Sequence, residues 1–83
     1  MVFNPTDELI EQWFTDKDTI EFIQGTRKKV EEHPNASRLF FTKHPNKNDL
    51  DKIQIFLYLF GLDLYTCKFA GDVDFVLYIV ESE

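Results

Sequence analysis

The sequence predicts an α+β fold: a small single domain over residues 1–83, with a three-stranded, mainly antiparallel sheet packed against helices in the order α-α-β-α-β-β. Three observations carry this expectation. Apolar residues recur at helical spacing in three stretches, around Leu9–Phe14, Ile20–Val30 and Leu50–Phe60. Leu62–Phe69 and Val73–Val80 are instead rich in β-branched and aromatic residues and flank Ala70-Gly71-Asp72. A length of 83 residues allows one core and not two, and 43% hydrophobic with 16% aromatic content is too high for a disordered chain.

The first helix has Asn4 as its expected cap, Pro5 at the first helical position, and Asp7 and Glu8 at the positive helix end. Leu9, Ile10, Trp13 and Phe14 make its apolar face. A second helix starts at once, with Thr15 as cap and Asp18 three residues later in a variant of the capping box. Ile20, Ile23 and Val30 continue one face to Glu32, and His33-Pro34 stops it. Gly25 weakens this helix and marks a place for a bend; the rival assignment makes Thr19–Gln24 a short strand.

Ser37–Lys43 contains Leu39, Phe40 and Phe41 between two turn-like segments and reads as a strand. Asn48 is the expected cap of the next helix, with Asp49 and Asp51 in its first turn and Gly61 at its end. Leu50, Ile53, Leu57 and Phe60 form its stripe. Ile55, Phe56, Tyr58 and Leu59 widen it so far that burial on more than one side is expected. The last two strands form a hairpin turning at Gly71. This register sets Cys67 opposite Val76 and Tyr65 opposite Tyr78 on one face, and Thr66 opposite Leu77 and Leu64 opposite Ile79 on the other. Both faces carry apolar side chains, so the face turned away from the helices needs a cover. The N-terminal helix or a second copy in a homodimer is expected to supply it.

Nine Lys and Arg stand against fifteen Asp and Glu, a net charge of −6. That balance disfavours direct nucleic-acid binding, which requires cations against phosphates, and disfavours an anionic membrane surface. It suits a partner protein with a basic surface. The single cysteine, Cys67, cannot form an internal disulfide, and the opening Met-Val-Phe-Asn-Pro-Thr-Asp-Glu has neither a basic segment nor an apolar one, so a cytoplasmic location is expected. The longest near-apolar run, Ile53–Leu62, falls short of the roughly 20 residues that span a bilayer. The sequon Asn35-Ala36-Ser37 is read as chance in such a chain.

The residues that could carry chemistry do not converge in sequence. His33, His44 and Cys67 lack metal-ligand spacing, and Cys67 in mid-strand reads as a small apolar residue, not a nucleophile. Adjacent carboxylates such as Asp49 and Asp51 fall in first helical turns, where the helix dipole accounts for them. The three glycines are far apart and make no phosphate loop, and Arg27-Lys28-Lys29 reads as a solvated helix face beside Glu31 and Glu32. No metal, cofactor or enzymatic activity is therefore expected. One local pattern points to a partner: Glu8, Glu11, Asp16, Asp18 and Glu21 lie close together with only Lys17 among them. The resulting expectation is a non-enzymatic protein-binding module, of inhibitor, immunity or adaptor type, whose acidic row engages a basic partner surface, in the limit by imitating a line of phosphates. The alternative is a small enzyme or ligand-binding domain with its site at a homo-oligomer interface.

Overall fold

The computed structural model describes residues 1–68 and 75–82. Among them are three α-helices, α1 (Asp7–Trp13), α2 (Lys17–Glu32) and α3 (Leu50–Tyr58), and three strands, β1 (Arg38–Phe41), β2 (Leu62–Lys68) and β3 (Phe75–Glu81), in the expected order. A single 3-10 turn, Lys47–Asp49, leads into α3.

The helix starts differ from expectation, each for a local reason. Thr6, not Asn4, caps α1: its hydroxyl accepts from the Leu9 N–H at 3.2 Å, and its carbonyl receives the Ile10 N–H. Pro5 therefore stays outside the helix, and its carbonyl accepts from the Arg27 guanidinium at 2.9 Å. Asp16, not Thr15, caps α2, accepting from the Asp18 and Thr19 N–H groups at 2.9 and 3.2 Å. A carboxylate satisfies two orphan donors and the helix dipole together, which a hydroxyl cannot. α2 runs unbroken through Gly25, so the rival strand is not present. Asn48 caps nothing. Its own N–H is held by the Asn46 side chain at 2.9 Å, and α3 follows the resulting 3-10 turn without a side-chain cap.

α2 turns Thr19, Phe22, Ile23, Thr26 and Val30 inward. The Thr26 hydroxyl satisfies itself by donating to the Phe22 carbonyl at 2.9 Å, so a polar side chain is buried without cost to the packing. α3 buries Ile53, Phe56 and Leu57, while Ile55, Tyr58 and Leu59 are exposed. This corrects the expected burial on more than one side. The helices form a single layer on one face of the sheet, and nothing among the described residues covers the outer side of α3. Beyond α3, Gly61 adopts φ +74°, donates to the Tyr58 carbonyl and accepts from the Ser82 N–H at 2.8 Å. The left-handed residue that ends the helix thus also ties it to the end of β3.

The sheet order is β1-β3-β2, with both pairs antiparallel. The hairpin register is the expected one: Cys67 pairs Val76, Thr66 pairs Leu77, Tyr65 pairs Tyr78 and Leu64 pairs Ile79. The Ala70-Gly71-Asp72 turn lies outside the described residues. Leu39, Phe41, Leu62, Leu77 and Ile79 are buried on the helix-facing side. They meet Ile10, Phe14, Phe22, Ile23, Val30 and the inner face of α3 in one core. Phe3, which precedes any helix, is 2% exposed and stands edge-on to Phe56 and Phe60 at 6.1 and 5.0 Å. Phe14 likewise stands edge-on to Phe56 at 5.4 Å, so the N-terminal helix packs on the same side as α3. It is not the cover for the opposite sheet face.

Candidate functional site

The five acidic residues singled out in the sequence have different surroundings. Asp16 is half-buried and committed to capping α2; the Asn46 amide also donates to it at 3.2 Å. That bond, followed by the one from the Thr19 N–H, holds its carboxyl below its ordinary range. Glu21 pairs with Lys43 beside β1, and the bond from that ammonium holds Glu21 low and Lys43 high. Glu8, Glu11 and Asp18 are exposed.

Asp16 belongs to a polar knot that the sequence does not reveal. Thr19 is fully buried, donates to the Asp49 carboxylate at 2.7 Å and accepts from the Asn46 N–H at 3.3 Å. The start of α2 is thereby locked to the 3-10 turn before α3, and its polar groups are consumed in holding the fold together.

The sheet face turned away from the helices carries a row of rings across all three strands. Phe40 of β1 is 53% exposed and Tyr65 of β2 is 47% exposed. Between them stands Tyr78 of β3, its ring 5.8 Å from Phe40 and 5.5 Å from Tyr65, and nearly parallel to the latter at 21°. The Arg38 guanidinium lies 5.5 Å from the Tyr78 ring. Strand parity puts these residues on one face, and the pairings Phe40–Tyr78 and Tyr65–Tyr78 bring them into line. The Tyr65–Tyr78 half follows from the hairpin pattern. Phe40 joins it through the β1–β3 register, which no turn between adjacent strands specifies.

A groove of 280 Å³ lies between α2 and β1. Gly25 forms part of its floor, Phe22 and Phe41 flank it with rings 4.7 Å apart, and Lys29 stands 5.3 Å from the Phe41 ring. The basic cluster of the sequence is divided by these contacts. Arg27 pairs with Asp7 at 2.8 Å and is drawn to α1, Lys29 belongs to the groove, and Lys28 is exposed.

Among the described residues no group of three or more His, Cys, Asp or Glu side chains is placed to hold a metal ion, and no helix is long and apolar enough to cross a membrane. His33 caps α2 through its backbone, and His44 borders a hollow with Pro45 and Leu50. Compared with family models, curated protein sequences and solved structures, the chain matches none.

Proposed function

We propose that this protein is a non-enzymatic protein-binding module, of inhibitor, immunity or adaptor type, which docks through the open aromatic face of its sheet and is steered to a basic partner surface by its acidic surface. The observation that carries the reading is the row Phe40–Tyr78–Tyr65: two large rings about half exposed on a flat face that no described element covers. Exposed aromatic residues beside an arginine are what the buried centre of a protein interface requires. The net charge of −6 and the exposed Glu8, Glu11 and Asp18 supply the long-range attraction.

The two parts act on different rate constants. A partner isolated from the native cell by affinity capture and identified by mass spectrometry is the reagent. Replacing Phe40 and Tyr65 with Ser is expected to speed dissociation with little change in association. Changing Glu8, Glu11 and Asp18 to Lys is expected to slow association and flatten its salt dependence. Wild-type dissociation for the Ser variant would sink the sheet-face reading; wild-type association for the Lys variant across a salt series would reduce the acidic surface to a solubility device.

A further inference from the structure

Gly25 sits in the interior of a 16-residue helix, where glycine is the least favourable residue short of proline. Glycine is normally kept at such a position because a neighbour comes too close for a side chain. No such neighbour exists here: a Cβ built on Gly25 meets nothing within 4 Å. The conformation does not require glycine either, since positive φ occurs at Gly61 and not at Gly25. Internal packing therefore gives no reason for the missing side chain. What the missing side chain does is keep the groove between α2 and β1 open.

The shape and charge of that groove define what fits it. Phe40 and Phe41 both border it. Their side chains alternate across the sheet, and a hollow touched by successive residues of one strand lies along that strand's edge. The order β1-β3-β2 leaves that edge of β1 unpaired within the sheet. At 280 Å³ the groove falls just below the range of about 300–1,000 Å³ that holds drug-sized ligands, and it matches one or two large side chains. Its charges are polarised along α2: Asp18 and Glu21 mark one end and Lys29 the other. Lys43 also lines this end and is paired with Glu21, while Asp18 is exposed and lies within the field of the same ammonium.

We infer that the groove receives an extended segment of a partner protein, which aligns along β1, seats a large apolar side chain over Gly25 and sets a Lys or Arg against Asp18. This rests on the reading of the chain as a protein-binding module and adds a second contact, which meets the aromatic row at Phe40. Charge complementarity selects a partner over a second copy: two chains of −6 repel, and the acidic end calls for a cation. The spacing follows from geometry. Asp18 precedes Gly25 by about 10 Å along the helix axis, which an extended chain covers in about three residues.

The test uses a displayed library of random heptapeptides selected on the intact chain, with Gly25→Leu as the blocked control. Gly25→Leu fills open space in a helix and is expected to keep the wild-type circular dichroism and to melt no lower than the wild type. Enriched peptides should carry Lys or Arg about three positions from a large apolar residue. A synthetic winner followed by fluorescence anisotropy should bind Gly25→Leu about tenfold more weakly or worse, and should weaken with Asp18→Lys. No enrichment, winners without that spacing, or equal binding to Gly25→Leu would overturn the inference. Self-association of the wild type that Gly25→Leu abolishes would also overturn it and assign the groove to a second copy. Tyr65 lies outside the groove and separates the two readings: a partner whose dissociation depends on Tyr65 but not on Gly25 leaves the module reading standing without the groove.

Discussion

Thr19 shows how much one buried hydroxyl can be asked to do. It is fully buried, and it answers both the Asp49 carboxylate and the Asn46 N–H. Thr19→Val keeps the shape and removes both bonds, leaving a charged acceptor and a backbone donor short of a partner. A loss of about 2 kcal/mol in urea unfolding is expected, with an unchanged slope. Asp16 makes the neighbouring argument through pH. Its carboxyl is held low in the folded chain, chiefly by the Asn46 amide, so its contribution is present above the ordinary carboxylate range and is lost as pH falls through that range. Glu21 adds a slope of the same sign through its Lys43 partner. The urea midpoint should therefore fall between about pH 6 and pH 3, and Asp16→Asn should flatten that fall while keeping the cap. None of these partners adjoins its residue in sequence. Asn4, Thr6, Thr15 and Asp16 all have capping side chains, and choosing among them needs the Arg27–Pro5 bond and the Asn46 contact, which only the tertiary fold supplies.

The elements divide by how local their determinants are. The hairpin register was legible because alternating Leu64, Thr66, Leu77 and Ile79 share one face and so fix which residues meet. The position of β1 beside β3 was not, because Phe40 meets Tyr78 only after α3 and β2 have intervened. The aromatic row was thus half visible. α3 misled for a different reason: an all-round apolar helix signals burial on several sides, yet Ile55, Tyr58 and Leu59 face outward. α2 carries the sharpest element-scale expectation. Gly25→Ala adds a methyl group to open space and removes the helix penalty of glycine, so it should raise stability by about 0.5–1 kcal/mol in chemical denaturation. A loss of stability would mean that glycine is needed there for the fold itself.

For the molecule as a whole, the first residues belong to the core. Phe3, Ile10 and Phe14 are each at most 2% exposed, and each buried side chain of this size contributes about 1.5–3 kcal/mol. Their sum is comparable to the entire stability of a domain of this length. A chain lacking residues 1–14 should therefore show no cooperative thermal transition by circular dichroism. A sharp melt near the wild-type temperature would contradict that assignment. The strand order has a consequence in time as well as in space. The strand that pairs with both others, β3, is the last of the three to be synthesised, and Arg38 waits for Val80 before its edge of the sheet can close. While the ribosome is still making the stretch before Phe75, β1 and β2 have no neighbour in the final arrangement and the helices have no completed floor. Native pairing of the sheet thus waits for its last strand, and the nascent chain must carry Leu39, Phe41 and Leu62 without their native strand partner until β3 arrives.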